Sequence, residues 1–515
     1  MKAKIQNAIV FGGLIVLLSV LAFLFQGWRG LWQPDEGYYV GTAMTMLNKQ
    51  SFLIPYLGEE EIFLDKPPLM YWGIISSVTI FGQTEFAARF FHGVCYVITC
   101  LTVGLLAWSM FGGRRLMLLS SVVYATMLVP FVAANVVTPD TPLALWTAVS
   151  ALVFWKSITT EKTAASLWKV ILFCALGFGF LTKGPAVLIP AAGMPLFLLL
   201  RRQLKMFLWD RGIAIGIAAF LFIGLGWYVW IGCKLSGGFV YFFDNQIWGR
   251  LVSGKYERNP GLAGASIYLF MLTVGTLPWC VVCLQKPARS LFARYATKAF
   301  WLNLVNEPQK LFLISWLLLP LLLLCLASSK LPLYALPLMA PVAIACAKLW
   351  SDRVDATAVR AGMKSVVLDS ARFVLVWCVF LLLAKYVIAI YPSDRDSRAL
   401  WQEISKHVPA SNYEICTINQ RADGLIFYGA EEVEHLTLKK DPYPTYTKTE
   451  QLLEEILKEA KEGENNILLF LTSETDTADK TCSILSHAGI EFNRIKLSGQ
   501  RWLIVLQPEA YNKVS

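Results

Sequence analysis

Long, nearly uncharged apolar runs recur through the first three quarters of the chain, near residues 8–25, 90–111, 116–134, 140–157, 170–182, 185–200, 212–232, 264–284, 311–327, 331–349 and 371–391. At about 1.5 Å of rise per helical residue, runs of this length cross a hydrocarbon core of about 30 Å. Inside lipid a spanning segment must satisfy its own backbone hydrogen bonds, so the runs predict helices. The expectation is a polytopic α-helical membrane protein with about 11 to 13 transmembrane helices. The apolar stretch Leu69–Phe81 has only 13 residues and reads as an interfacial or re-entrant helix, with a full crossing as the alternative. Residues 1–25 have the charged start and apolar run of a signal peptide, but no small-residue cleavage pattern follows, so they read as an uncleaved first helix.

The mean hydropathy of +0.52 hides a change of character after Tyr391. Residues 1–391 carry a net charge of +16 and residues 392–515 a net charge of −6. The basic balance therefore belongs to the membrane part and gives no argument for nucleic acid. With Leu69–Phe81 uncrossed, alternate connections place 21 Lys/Arg on one side and 11 on the other. By the positive-inside rule the richer side is the cytoplasm, and eleven crossings put the C-terminal part outside. Residues 392–515 alternate apolar segments (413–418, 424–428, 466–471, 502–506) with an amphipathic stretch at 448–461, the pattern of a small soluble α/β domain. The expected domains are 1–391 in the membrane, including an external loop at 26–89, and 392–515 outside.

Nine of eleven cysteines lie in or beside apolar runs, where cysteine acts as a small hydrophobe; only Cys416 and Cys482 lie in the polar part, where an oxidising compartment would allow a bridge. Four histidines, without an HExxH pattern or a close His/Asp cluster, offer little for a catalytic metal, and none is expected.

The polar residues that stand out are gathered on one predicted side. Gln33-Pro34-Asp35-Glu36-Gly37-Tyr38-Tyr39 and Leu64-Asp65-Lys66-Pro67-Pro68-Leu69 fall in the external loop. Thr138-Pro139-Asp140 opens one span, Lys183-Gly184-Pro185 divides an apolar run, and Arg250 and Ser329-Lys330-Leu331-Pro332-Leu333-Tyr334 follow two others. Taken singly, each has an ordinary reading: acids favour the first turn of a helix, a lysine favours the last, and tyrosines favour the membrane interface. Taken together they are less ordinary. External cations run against the charge bias, and an ammonium beside apolar sequence is costly unless an anion accompanies it. Carboxylates with phosphate-binding cations on one face make a candidate active site. A transporter or flippase for an anionic lipid is the rival class, but it would place ionisable groups in mid-span, whereas the span interiors here are nearly free of charge, Lys385 near an external end being an exception.

The order Asp-Glu after the first helix, Lys66-Pro67-Pro68-Leu69, Pro139-Asp140, Lys183-Gly184-Pro185 and Lys330-Leu331-Pro332-x-Tyr334-x-Leu336-Pro337 resembles the bacterial aminoarabinose transferase (ArnT-type) glycosyltransferases of the GT-C superfamily, which also holds the protein mannosyltransferases. The resemblance runs from residue 8 to about residue 391. It implies an inverting glycosyltransferase of the bacterial inner membrane. The enzyme would take a sugar from an undecaprenyl-phosphate donor at the periplasmic face, under a roof formed by the 26–89 loop, without a further cofactor. The implied transfer is of 4-amino-4-deoxy-L-arabinose to a lipid A phosphate, the modification behind polymyxin resistance. A hexose or uronic acid passed to another envelope acceptor is the alternative. By the same resemblance Asp35 and Asp140 are the catalytic carboxylates and Lys66, Lys183 and Arg250 hold the carrier phosphate. Glu36, Tyr38, Tyr39, Asp65, Lys330 and Tyr334 complete the expected substrate contacts. The sequence departs from the strict ArnT pattern at Tyr38, where those members usually have Arg, and at Asp65, where they have Glu.

Overall fold

The structure is a computed structural model and describes residues 2–58, 61–244, 258–284, 303–361, 363–407, 413–430, 433–438, 450–452 and 467–511. Its packing separates two units. One comprises Met1–Gln26 with Arg89–Val387, the other Gly27–Ala88 with Ile388–Ser515. The sequence division at residue 391 had grouped the 26–89 loop with the membrane part; by contacts that loop clusters with the C-terminal residues instead.

In chain order the first helices are α1 (Lys2–Phe23), α2 (Asp35–Asn48), α3 (Leu69–Phe81), α4 (Glu85–Phe111), α5 (Arg114–Thr126), α6 (Leu128–Ala133), α7 (Asp140–Thr159) and α8 (Lys162–Lys183). Among the described residues eight helical stretches are long and apolar enough to cross a membrane. The other expected spans are helical but interrupted. Residues 116–134 form α5 and α6, separated where Met127 takes an extended backbone. Residues 264–284 fall into Gly261–Thr273, a 3-10 turn and Trp279–Leu284. The two expected spans either side of Lys183 form one interrupted stretch, Lys162–Leu200. The membrane unit is held by an apolar core that includes Tyr96, Phe154, Phe197, Phe312 and Trp316. Lys385, buried in the last span, donates to the carbonyls of Leu21 (3.2 Å) and Ala22 (2.8 Å) in the last turn of α1. An ammonium there meets the negative end of the helix dipole, which accounts for this charge without any transport role.

In the second unit α3 has the bounds read from the sequence, 13 residues or about 20 Å, shorter than a hydrocarbon core. A small antiparallel pair, β1 (Tyr56–Leu57) and β2 (Glu61–Ile62), precedes it. The C-terminal residues form β3 (Tyr413–Ile418), β4 (Val433–Thr437), β5 (Glu450–Gln451), β6 (Ile467–Thr472), β7 (Asn493–Lys496) and β8 (Trp502–Leu506). These make a six-stranded sheet of order β5-β4-β3-β6-β8-β7, parallel from β5 to β6 and antiparallel beyond. Residues 424–428, apolar enough to pass for a strand, form the short helix Gly424–Tyr428; the amphipathic stretch 448–461 lies almost entirely outside the described residues. Cys416 and Cys482 are both free thiols.

Candidate active site

In the membrane unit α7 and α8 are joined by only Thr160 and Glu161, so the chain doubles back and the start of α7 lies at the same end as the finish of α8. That brings Asp140, the first residue of α7, against Lys183, the last of α8, with Nζ 2.5 Å from Oδ1 and both side chains 9% exposed. Gly184 lets the chain leave α8 at this point. Its φ is +61°, and a Cβ there would stand 2.7 Å from the Tyr228 hydroxyl. The Lys183 ammonium lies 4.4 Å from the centroid of the Tyr334 ring, on the 3-10 helix Pro332–Leu338. Three residues singled out in the sequence, 43 to 194 positions apart, thus form one cluster. His92 donates from Nε2 to the Thr138 carbonyl at 3.0 Å and so pins the turn that opens α7. Tyr268, fully buried on Gly261–Thr273, lies in the apolar core against which Tyr334 packs; nothing in its apolar surroundings in the sequence marked it.

Lys330, 2% exposed, donates from Nζ to the Ala327 carbonyl at 2.6 Å. Its backbone is held by Arg258 O (2.8 Å) and by Asn259 Nδ2 (2.9 Å). Arg250 lies outside the described residues. This cluster can neutralise an anion: a phosphate would compete with Asp140 for an ammonium already desolvated, where charge-assisted hydrogen bonds are strong.

In the second unit Asp35 opens α2 behind Pro34 and is exposed, whereas Glu36 beside it is fully buried. The Glu36 carboxylate accepts from both Arg29 Nη atoms (2.5 and 3.0 Å) and from Trp32 N (2.9 Å), which fixes the chain's entry to the helix. Arg29 carried no sequence signal, seven residues upstream and outside any helical period. The Lys66 ammonium is buried and bound by Asp65, through the carboxylate and through the carbonyl at 3.2 Å. Tyr38 packs edge-on against Phe63 (4.6 Å) and Tyr39 (5.5 Å), and Tyr39 lies 6.5 Å from Tyr71. Burial and then the Asp65 carboxylate push the Tyr38 phenol well above its ordinary range.

Two residues the sequence reading did not select complete this unit's cluster. The Arg421 guanidinium stands 5.4 Å from the Tyr38 ring centroid, pairs with Glu61 at 3.1 Å and approaches Asp423 at 4.0 Å. Burial pushes the Asp423 carboxyl up to about 6 from 3.8, against the opposing pull of Arg421. An acid that binds its proton more tightly when folded stabilises the fold fully below pH 3.8, and that contribution is lost as pH rises through 6. Asp423→Asn is therefore expected to raise stability at pH 7.5 by roughly 2–3 kcal/mol and to leave it unchanged near pH 4. Melting of the purified chain in detergent across that range checks it.

Among the described residues one group of side chains has metal-ligand spacing, Glu414, Cys416 and Glu434 on β3 and β4, within 4.8 Å of one another. It lies in the sheet, and none of its three residues belongs to the clusters described above.

Comparison with known proteins follows the same lines. The family described as dolichyl-phosphate-mannose-protein mannosyltransferase matches residues 65–230. An undecaprenyl phosphate-alpha-4-amino-4-deoxy-L-arabinose arabinosyl transferase of Proteus mirabilis is 31% identical over 344 residues, 66% of this chain and 59% of the relative. The protein of that name from Photorhabdus laumondii is 29% identical over 345 residues, with the same coverage. The matched stretch thus spans about three fifths of these relatives' length. The crystal structure of ArnT from Cupriavidus metallidurans bound to undecaprenyl phosphate superposes with a TM-score of 0.75 at 17% identity, over 97% of this chain and 98% of that one. The chain therefore has the polytopic membrane fold of ArnT with its C-terminal sheet domain, and over 66% of its length it is similar in sequence to the ArnT-type glycosyltransferases.

Proposed function

We propose that this chain transfers a sugar from an undecaprenyl-phosphate donor, most specifically 4-amino-4-deoxy-L-arabinose to a lipid A phosphate, at the periplasmic face of a bacterial inner membrane. The relatives' names and the shared fold support the donor class. The bias of basic residues supports the sidedness, with the C-terminal domain outside. The observation that carries the reading is the desolvated Lys183 ammonium, held between the Asp140 carboxylate and the Tyr334 ring at the break in an apolar run.

Displacing a polyprenyl phosphate from an anomeric carbon builds negative charge on the leaving phosphate, and pre-placed cations lower that barrier. In the membrane unit Lys183 and Lys330 are assigned to it; Lys66 and Arg250 are carried over from the resemblance alone. Asp35, exposed at a helix start, takes the acceptor's proton or, for an acceptor that is already an anion, orients the donor's amine. One direct displacement inverts the anomeric centre. Tyr38, Tyr39 and Asp65 line the sugar side of the reading, while Glu36 contributes by fixing α2 through Arg29.

The test is transfer itself. Purified protein with labelled undecaprenyl-phosphate aminoarabinose and extracted lipid A is expected to move label to lipid A and add the sugar's mass. Label moved only from a hexose or uronic acid donor would change the substrate and keep the reaction class. No transfer from any polyprenyl-phosphate sugar by folded protein would remove the reading.

A further inference from the structure

We propose that the C-terminal domain sets the position of α2, the helix that carries Asp35, and that Arg421 is the positioning residue through which it does so. This rests on the glycosyltransferase reading above and gives the C-terminal domain a part in it.

The sheet topology selects the place. From β3 the chain moves to β4 and β5 on one side, then returns to β6 on the other, so the carboxyl ends of β3 and β6 form a topological switch point. Loops diverge at such a point and leave a crevice in which α/β sheets hold their ligands. The loop leaving β3 carries Arg421 and Asp423, and Arg421 directs its charge at the chain's own 27–88 segment. Arg421 Nη2 donates to Glu61 Oε1 at 3.1 Å, and the guanidinium lies 5.4 Å from the Tyr38 ring. Tyr38 in turn feels the Asp65 carboxylate that binds Lys66. The line from Arg421 therefore reaches three of the residues assigned to substrate, Tyr38, Asp65 and Lys66.

The backbone contact is equally close. A Cβ on Gly41 would lie 2.5 Å from the Asp423 carbonyl oxygen, and one on Gly424 would lie 2.7 Å from Gln33 Nε2 and 3.0 Å from Gly37 Cα. Glycines let α2 rest on the helix Gly424–Tyr428 main chain to main chain. The Gln33 amide, which donates to Ser397 Oγ at 2.9 Å, closes the same contact, so a shift in the loop is passed to the start of α2 and to Asp35.

The charges in this contact are only partly bonded, Arg421 through Glu61. Arg421 Nη1 and Asp423 Oδ2 are buried, and neither has a hydrogen-bond partner among the described residues. A buried pair this incompletely bonded does not repay its desolvation, and apolar residues of like volume would hold the contact better. What a planar guanidinium on an aromatic ring adds is a fixed orientation. A cost kept beside a candidate site is the pattern of function overriding stability.

The experiment uses the full chain in detergent or nanodiscs, with melting measured alongside kcat and the donor KM. Arg421→Met/Asp423→Asn removes both buried charges together, and the Glu61 carboxylate that loses Arg421 is 21% exposed and can turn to water. The double variant is expected to melt at or above the wild-type temperature, to lose kcat by roughly tenfold or more, and to keep the donor KM within about threefold, because misplacing a reacting group costs transition-state stabilisation rather than binding. Arg421→Lys, which keeps the charge and loses the planar stack, is expected between the two. Wild-type kcat in the double variant would overturn the positioning role, as would a loss confined to KM or one that merely follows a fall in melting temperature. Asp35→Asn run in parallel separates the two levels of inference: if it is inactive while the double variant is normal, only the positioning role falls. If Asp35→Asn is fully active, the reading of α2 falls and takes the positioning role with it.

Discussion

Asp35→Asn is expected to reach the membrane at wild-type level, to melt within a few degrees of the parent, and to turn over at least roughly a hundredfold more slowly. Stability should survive because asparagine keeps the size and an oxygen acceptor of an exposed side chain. Asp35 is exposed, it lies behind a proline N-cap that makes no side-chain capping bond, and its contribution to the helix is that of an acid in the first turn. Such a charge is worth about 0.3–1 kcal/mol, and asparagine keeps an oxygen acceptor. Activity should not survive, because asparagine can neither take a proton nor balance a cationic amine. A capping role and a catalytic role therefore predict the same expression and opposite turnover. Near-normal turnover in Asp35→Asn would end the assignment, and Glu36 could not inherit it, since its carboxylate is buried and bound by Arg29 and the Trp32 amide.

What could be read in the sequence was whatever local periodicity and composition control. The short apolar helix Leu69–Phe81 and the strands Tyr413–Ile418 and Trp502–Leu506 have the bounds their hydrophobic patterns gave, and each long apolar run within the described residues is helical. Interruptions were harder. Residues 116–134 carry few polar groups, yet the helix breaks at Met127, because Pro130 lacks the N–H that would bond the Thr126 carbonyl and its ring crowds that carbonyl, a mark that hydrophobicity alone does not show. The segment 424–428 is apolar enough for a strand and forms a helix, because tertiary packing outweighs local propensity in so short a stretch.

The site was legible to the degree that its residues sit at helix ends. Asp140 and Lys183 were marked by neighbouring proline and glycine, and the two-residue α7–α8 connection explains why they meet. Arg421 and Asp423 had no such mark, since a polar loop after a strand is ordinary and their partners Tyr38 and Glu61 lie more than 350 residues away. The same long-range packing draws Gly27–Ala88 to the C-terminal domain, against the division that polarity alone suggested. Contacts of this kind follow from topology, and no periodicity encodes them.

The Asp140–Lys183 pair gives the second large effect, because it separates an ion pair kept for structure from one kept for chemistry. Lys183→Met alone leaves the Asp140 carboxylate buried without its cation, a change expected to cost about 3–5 kcal/mol even with the α7 amino terminus still favouring the charge. Asp140→Asn alone strands the Lys183 ammonium, which among the described residues retains the Tyr334 ring, worth about 0.5–2 kcal/mol. The double change Asp140→Asn/Lys183→Met removes both charges and keeps both volumes, so melting should return to within about 1 kcal/mol of wild type. Turnover should not return with it. If Lys183 stabilises a departing phosphate, the double variant remains at least roughly a hundredfold below wild type, because no neutral side chain offsets charge that appears only in the transition state. Melting curves and steady-state transfer on the four proteins of this cycle decide between the roles. A double variant that regains stability and activity together would make the pair a structural clamp at the break in the apolar run, and phosphate binding would then have to be sought at Lys66 and Lys330.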